Sequence, residues 1–313
     1  EAVIPLVTAD LLYEIPLILE QAHVADILLE RLKLEPKQPT RIQGWKTMVA
    51  ELKRQKPSIK IGLVGKYVEL HDAYLSVREA LNHAALFYGV DVDLQWISST
   101  AIEKDNVQDL LVGLDGILVP GGFGSRGVEG KILAAQYARE NHIPYLGLCL
   151  GLQVMMIDFA RNVLGLKNAD SAEFDKLTPD PVIDLMLEQR GLVQMGGTMR
   201  LGLYPCNIKP GSRAEALYQA EVIQERHRHR YEFNNEYRQK YEENGMVFSG
   251  VSPDGVLVEM AELEGHPFMM ASQFHPEFLS RPNRAHPLFL GFIQAACKKA
   301  GFSDQPVKLD FTN

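Results

Sequence analysis

The chain has 313 residues, of which 46% are hydrophobic, and 40 Asp and Glu against 32 Lys and Arg give a formal net charge of −8. This composition is typical of a globular chain with a core of its own, and it excludes disordered, collagen-like and disulfide-scaffold proteins. An acidic chain has no general field that attracts nucleic acid or an anionic membrane, so neither partner is expected.

The cysteines predict the compartment. Cys149, Cys206 and Cys297 are an odd number of thiols at wide spacing, without a Cys-x-x-Cys pair. This pattern indicates free thiols in a reducing compartment, the cytoplasm, and neither a disulfide framework nor a metal site. No apolar run approaches the roughly 20 residues that cross a bilayer, and the N-terminus lacks the pattern of a secretory signal.

The first segment, residues 1–57, differs from the rest of the chain. Apolar spacing predicts a helix over residues 15–32 and a short second helix over residues 45–52, with a polar, two-proline linker at 35–40 between them. Two helices cannot bury a core of their own. Because the sequence begins at Glu1 and not at Met, we expect this segment to be the end of a larger domain.

From residue 58 onward, buried strands and amphipathic helices alternate. Strands are predicted at residues 59–64, 90–97, 116–119 and 143–148, and helices at 76–88, 129–141 and 150–162. Such alternation predicts an α/β fold with a central, mostly parallel sheet flanked by helices.

The pattern changes in the C-terminal half. Short strands are predicted at residues 222–230, 246–251, 256–260 and 268–274, and a last helix at 288–299. We expect these strands to extend the sheet in antiparallel fashion. The domain is expected to span residues 58–302, followed by a poorly ordered tail at 303–313.

A candidate nucleophile lies at the end of the fourth predicted strand. The sequence Gly147-Leu148-Cys149-Leu150-Gly151 matches the nucleophile elbow, with cysteine in the central place. The glycines permit a sharp strand-to-helix turn, and the helix N-terminus favours the thiolate over the thiol. The alternative is a buried structural cysteine.

A candidate base and its orienter lie 126 residues downstream, in a Gln-Phe-His-Pro-Glu-Phe sequence at residues 273–278. His275 is the base, and the Glu277 carboxylate can fix its tautomer and stabilise the imidazolium. A thiol needs a base and the base needs an orienter, so the three residues predict nucleophilic catalysis.

The glycine-rich loop at residues 120–124 follows another buried strand, and its backbone amides can bind a developing oxyanion together with the amide of Leu150. A phosphate cradle is the alternative, but the spacing does not fit a P-loop. The first glycine of that motif would fall at Ser125, and Ile132 stands where Ser or Thr is required.

Arginine and histidine alternate at residues 225–232. An exposed strand is the plain interpretation, and a nucleic-acid site is disfavoured by the flanking acidic residues. In a strand, Arg226, Arg228 and Arg230 share one face, which could bind a carboxylate in a cleft. The glycine-rich stretch at 196–202 is typical of a packed strand or bulge.

Taken together, six motifs resemble the class I glutamine amidotransferases, and among them the C-terminal domain of the CTP synthase family. The motifs are Gly-Lys-Tyr-Val-Glu-Leu at 65–70, Pro-Gly-Gly-Phe-Gly at 120–124, Gly-Leu-Cys-Leu-Gly at 147–151, and those at 196–202, 225–232 and 273–278. The resemblance covers about residues 59–300. It also makes residues 1–57 the end of that family's synthetase domain plus a linker.

The resemblance implies a flavodoxin-like fold and hydrolysis of L-glutamine by Cys149, His275 and Glu277. The glutamine site would comprise Gly122, Leu150, Gly151, Leu152 and Gln153, with Glu173 and Arg230 holding the ammonium and carboxylate groups. Ammonia would pass to the synthetase domain of the same polypeptide, which aminates UTP to CTP with ATP and Mg²⁺. GTP would activate the glutaminase, with Phe123, Arg126 and Glu129 in the suspected effector loop, and the full-length enzyme would form a homotetramer.

The sequence also departs from that family. The P-loop, the magnesium carboxylates and most of the UTP pocket of the synthetase domain are absent from these residues, so they should bind no cofactor and should not make CTP by themselves. The segment Leu6-Val7-Thr8-Ala9-Asp10 differs from the stretch associated with adenine binding, and no nucleotide contact is assigned to it.

Two alternatives remain at this point. A γ-glutamyl cysteine hydrolase would share the elbow and the base, but it has no reason to carry the motif at 65–70 or the Arg-His alternation. A non-catalytic regulatory domain would retain the three residues around an inaccessible thiol. Comparing glutamine with γ-glutamyl peptides tests the first alternative, and labelling Cys149 with an electrophilic glutamine analogue tests the second.

Overall fold

The computed structural model describes residues 3–4, 8–36, 42–185 and 199–307. Several predicted features lie partly outside this range: Leu6 and Val7, the linker from residue 37 to 40, residues 196–198 of the glycine-rich stretch, and the last six residues of the tail. The chain forms two compact units, residues 1–56 with 306–313, and residues 57–305.

The first unit is helical. It contains α1 (Ile15–Gln21), α2 (Val24–Leu32) and α3 (Gln43–Lys53). The single helix predicted over 15–32 is broken at His23, whose φ of 53° is left-handed and therefore interrupts the helical backbone. Within this unit the indole Nε1 of Trp45 donates a hydrogen bond of 2.7 Å to the carbonyl of Tyr13.

The second unit contains the strands and the remaining helices. Its strands are β1 (Ser58–Gly65), β2 (Asp91–Ser98), β3 (Gly116–Val119), β4 (Tyr145–Leu148), β5 (Ala169–Ser171), β6 (Asp180–Leu185), β7 (Arg200–Ile208), β8 (Val222–His229), β9 (Tyr231–Phe233), β10 (Met246–Val251), β11 (Val258–Leu263) and β12 (Met269–Ser272). Its helices are α4 (Leu75–Tyr88), α5 (Val107–Leu111), α6 (Val128–Glu140), α7 (Leu150–Asn162), α8 (Arg213–Tyr218), α9 (Arg238–Glu242) and α10 (Pro287–Lys299).

A nine-stranded mixed sheet organises this unit, in the order β2-β1-β3-β4-β12-β11-β10-β7-β8. The five strands from β2 to β12 pair in parallel, and the pairs from β12 to β8 are antiparallel. A smaller sheet has the order β5-β6-β9. The predicted α/β class, with a parallel centre and additional antiparallel strands, is confirmed.

Side chains that alternate along the central strands fill two cores. On one face, Ile117 and Val119 pack with residues of α6 and α7. On the other face, Leu118 and Leu146 pack with residues of α4 and α10. Because successive side chains point to opposite faces, a strand buried on both sides reads as a continuous apolar run, which is why these strands were predictable.

Element boundaries differ in the C-terminal half. The strand predicted at 256–260 spans Val258–Leu263, and the one predicted at 222–230 ends at His229, with a bend at Arg230 before β9. Among the described residues, no helix combines the length and the apolar character needed to span a bilayer.

Glycine is required where α7 crosses the sheet. A Cβ added at Gly151 would lie 2.2 Å from the carbonyl oxygen of Val119, whereas one added at Gly122 would meet its nearest neighbour at 3.6 Å.

The Gly151→Ala substitution should therefore lower the free energy of unfolding by about 1–3 kcal/mol, as overpacking typically does. Urea unfolding measures this, with Gly122→Ala expected to stay near the parent; equal stability of Gly151→Ala would contradict the close approach.

Candidate active site

Three loops meet at one edge of the sheet. Strands β3, β4 and β12 are neighbours and run parallel, so their carboxyl ends lie side by side. The loop at 120–124 follows β3, Cys149 follows β4, and His275 lies three residues beyond the end of β12. The carboxyl edge of an open parallel sheet is where such folds usually bind ligands.

Cys149 occupies a strained turn between β4 and α7. Its backbone has φ 52° and ψ −100°, a conformation that side-chain-bearing residues rarely adopt and that persists only where the surroundings hold it. Its N–H donates to the carbonyl of Ser272 on β12 at 2.7 Å, and its own carbonyl accepts the N–H groups of Leu152 and Gln153. The predicted strand-to-helix turn is thus present, with the thiol at the N-terminus of α7.

His275 and Glu277 form a pair. The imidazole Nδ1 lies 2.8 Å from the Glu277 carboxylate, and the carboxylate is buried. Burial alone would lower the pKa of His275, but the Cys149 sulfur and the Glu277 carboxylate together raise it to about 11. The imidazolium form is therefore stabilised beside a thiolate, as in a thiolate–imidazolium ion pair.

The side chains of Cys149 and His275 lie together beside Gly121. A Cβ placed on Gly121 would be 2.9 Å from Cε1 of His275 and 3.4 Å from Cβ of Cys149. Both side chains therefore contact the same point of the β3 loop. The structure brings together the predicted nucleophile, base and orienter, although 126 residues separate the first two.

The predicted oxyanion donors also lie together. A Cβ placed on Gly122 would be 3.6 Å from the Leu150 side chain. Leu150 is the first residue of α7, where backbone N–H groups have no partner within the helix. Gly122, in the loop after β3, and Leu150, the residue after Cys149, therefore lie close together beside the nucleophile elbow.

Lys131 lies at the glycine-rich loop of the site, a position that the sequence did not predict. Its side chain is buried on α6, and the Nζ donates to the Pro120 carbonyl at 3.1 Å. Burial, followed by the charge of Lys66, lowers the pKa of Lys131 to about 7, while Cys149 acts in the opposite direction. In sequence it is one lysine within an amphipathic helix, and no local pattern distinguishes it from a solvated one.

The residues expected to bind glutamine differ in their surroundings: some lie at the glycine-rich loop and others in the core. Glu173 accepts the N–H of Gly124 at 2.9 Å, which places its carboxylate at the glycine-rich loop. The Gln153 side chain donates to the Tyr231 carbonyl at 3.1 Å, Leu152 is fully buried in the apolar core, and Gly151 packs against β3. Arg230 lies at the bend between β8 and β9.

Gln273 is a second residue near the thiol to which the sequence assigned no role. Its Nε2 lies 3.6 Å from the Cys149 sulfur, and its Oε1 accepts a hydrogen bond from Gln153 at 3.3 Å. The available signal was its position two residues before His275 at the end of a buried strand.

The suspected effector loop divides into two environments. Phe123 is 44% exposed, and the guanidinium of Arg126 stacks over the Tyr67 ring at 5.0 Å. Glu129 instead forms an ion pair with Arg161 on α7 at 2.9 Å. All three residues are exposed, and Glu129 in addition ties α6 to α7.

A second histidine–carboxylate pair shows why geometry decides the assignment. His286 lies 2.8 Å from Glu225, a pairing that the spacing along the sequence did not predict. Its Nδ1, however, accepts the N–H of Leu288 and caps α10. This pair stabilises a helix start, while the His275 pair meets a thiol.

The comparisons with known proteins agree with this geometry. The family model for glutamine amidotransferase class-I matches residues 69–295. A CTP synthase of Roseiflexus sp. is 55% identical over 312 residues, which cover 99% of this chain and 56% of the relative, and one of Dehalococcoides mccartyi is 56% identical over 98% of this chain and 56% of its own length. The chain thus spans little more than half the length of these relatives.

A solved structure matches the second unit's architecture. The glutaminase domain of Trypanosoma brucei CTPS with bound acivicin is 37% identical, with a TM-score of 0.74. The match covers 81% of this chain and 97% of that domain.

The ion pair predicts selective reactivity among the three thiols. Cys149 should react with iodoacetamide at neutral pH far faster than Cys206 and Cys297, because burial raises the pKa of both of these thiols, that of Cys297 to about 11. His275→Asn should slow the labelling of Cys149 about tenfold or more, because it removes the positive charge beside the sulfur. Peptide mapping of the alkylated chain measures both rates. Equal labelling of all three thiols would contradict the ion pair.

Proposed function

This chain belongs to the class-I glutamine amidotransferases, and we propose that it hydrolyses L-glutamine at Cys149 and releases ammonia for the amination of UTP to CTP. The observation that carries the proposal is the meeting of Cys149 and His275 against Gly121, at the carboxyl edge of a parallel sheet. The likeness to a glutaminase domain solved with acivicin supports glutamine as the substrate.

The first half of the proposed reaction forms a thioester. The Cys149 thiolate attacks the side-chain amide carbon of glutamine, and the backbone amides of Gly122 and Leu150 bind the oxyanion. The His275 imidazolium donates its proton to the amide nitrogen, which leaves as ammonia. Glu277 holds the imidazole through Nδ1 and leaves Nε2 for this transfer.

The second half releases glutamate. Neutral His275 accepts a proton from water, and the hydroxide attacks the thioester carbonyl within the same oxyanion site. Collapse of the tetrahedral intermediate expels the Cys149 thiolate and restores the ion pair. Glu173 and Arg230 would bind the ammonium and carboxylate groups of glutamine, which requires an acid and a guanidinium.

The fate of the ammonia belongs to the longer protein. Relatives named CTP synthase extend well beyond this chain, and we propose that a synthetase domain of the same polypeptide receives the ammonia and uses ATP, Mg²⁺ and UTP. By the same resemblance, GTP would activate the site through the loop that carries Phe123, Arg126 and Glu129, and the full-length enzyme would be a homotetramer. The cytoplasm stays the expected location.

The proposal predicts the effect of removing the thiol. Cys149→Ala should lower glutamate release from glutamine by several orders of magnitude, because no other described group replaces the nucleophile. Cys297→Ala, a buried cysteine on α10, is the matched control and should keep the parental rate. Glutamine hydrolysis by Cys149→Ala at the parental rate would refute the assignment.

The orienter should matter less than the nucleophile or the base. Glu277→Ala should reduce turnover less than the loss of Cys149 or His275, since the imidazole keeps its place but loses the fixed tautomer. Steady-state glutamate release by the three variants gives the order. A γ-glutamyl peptide assay on the same samples separates a glutaminase from a γ-glutamyl hydrolase, which would prefer the peptide. A regulatory domain would release no glutamate from either substrate.

A further inference from the structure

A cluster of charged and polar side chains lies buried beside the proposed site. It comprises Arg200 from β7, His227 and His229 from β8, Glu232 from β9 and Glu259 from β11, and we refer to these five residues as the buried ionic cluster. The other four members of the cluster are each at most 3% exposed. The Arg-His alternation thus splits its residues, with His227 and His229 inside and Arg226 and Arg228 exposed.

Arg200 lies at the centre of the carboxylates in this cluster. Its Nη1 is 2.6 Å from Glu259 and 3.8 Å from Glu232, and its guanidinium stacks over the Tyr204 ring at 4.5 Å. A buried guanidinium in contact with two carboxylates is costly to remove, because each carboxylate left behind is an uncompensated buried charge.

The histidines do not replace that charge. They contact each other at 2.9 Å, and His229 lies 3.2 Å from Glu232. Burial, with the nearby positive charges, lowers the pKa of His227 to about 2 and that of His229 to about 3, so both are neutral near neutral pH. Arg200 is therefore the cation of the cluster.

The protonation of Glu232 and Glu259 depends on their burial and on the charges around them. Burial raises the pKa of Glu232 far above its usual value, and the charges of Glu259 and Cys149 add to the rise. Burial also raises the pKa of Glu259 to about 7, against the opposing effect of Arg200. Negative charge at Cys149 and negative charge at Glu232 thus disfavour each other.

The backbone connects the cluster to the reacting groups. The carbonyl of Arg228 lies 4.0 Å from the Cys149 sulfur, and the carbonyl of Arg226 accepts the N–H of His275 at 2.8 Å. Gln273, whose side chain contacts the sulfur, donates its backbone N–H to the carbonyl of Glu259 at 2.8 Å. Residues of the cluster therefore alternate along β8 with the residues whose carbonyls contact the thiol and the base.

We propose that Arg200 is a positioning residue of the glutaminase site. Its guanidinium places one buried positive charge against Glu232 and Glu259 behind β8, which offsets negative charge that would oppose the Cys149 thiolate and holds β8 against Cys149 and His275. The proposal rests on the function proposed above. Among the described residues, the other titratable groups near the cluster or the thiol include Tyr204, Cys206, Glu225, Asp254, His275, Glu277 and Lys131.

The test compares Arg200 with another buried arginine. Arg139 pairs with the fully buried Asp158 at 2.8 Å, but it joins α6 to α7 and contacts no residue of the cluster among those described. Arg200→Met, Arg200→Lys and Arg139→Met are made in this chain. Glutaminase kcat and KM, the pH dependence of Cys149 alkylation by iodoacetamide and urea unfolding are then measured for each.

Arg200→Met should lower kcat about tenfold or more and move the midpoint of Cys149 alkylation to higher pH, because the buried positive charge that offsets Glu232 and Glu259 is lost. Arg200→Lys keeps the positive charge, so its kcat and its alkylation midpoint should both lie close to the parental values. Arg139→Met should lose stability while kcat and the midpoint stay parental. Glu259→Gln, an isosteric change, should move the midpoint to lower pH, and it supplies this test if Arg200→Met does not fold.

The proposal is overturned if folded Arg200→Met keeps the parental kcat and alkylation profile, if Arg139→Met changes them equally, or if Glu259→Gln leaves the midpoint unchanged or raises it. Alkylation requires no glutamine turnover. A chain that hydrolyses no glutamine would therefore refute the proposed function, while the shift of the alkylation midpoint would still decide the role of Arg200.

Discussion

The site depends on one electrostatic contact, that between the Cys149 sulfur and the His275 imidazole. The sulfur, together with Glu277, raises the pKa of His275 to about 11 despite the burial of the imidazole. The sheet makes this contact possible, because β4 and β12 are parallel neighbours whose carboxyl ends deliver the two side chains to one place. Glycines at positions 121, 147 and 151 allow this arrangement, since a Cβ at each would collide with His275, with α7 or with β3.

The same contact accounts for the buried charged and polar side chains around the site. A thiolate in a low-dielectric environment is destabilised by any unpaired negative charge nearby, so the carboxylates behind β8 need a cation. Arg200 supplies one, while His227 and His229 stay neutral. On the other side, Lys131 is held at the glycine-rich loop by the Pro120 carbonyl. Buried ionisable side chains outside the proposed triad thus surround Cys149 and His275.

Much of this architecture could be predicted from the sequence, because strands buried on both faces read as continuous apolar runs and the elbow is a local pattern. The antiparallel half was harder: β7 carries partly exposed residues and a glycine at Gly202, so its period is weak. Lys131 and Gln273 were missed because their roles arise from burial and from neighbours distant in sequence. The pairing of His286 with Glu225 likewise joins residues 61 positions apart, which no spacing rule along the chain detects.

The proposed mechanism requires that the Cys149 sulfur becomes covalently acylated. The direct measurement is an acid quench of the chain during turnover of glutamine, followed by mass spectrometry of its peptides. A γ-glutamyl group attached to the peptide that contains Cys149, labile to hydroxylamine and absent from His275→Asn, is the predicted result. Glutamate released at the full rate with no adduct on that peptide, or with an adduct at another residue, would contradict the account.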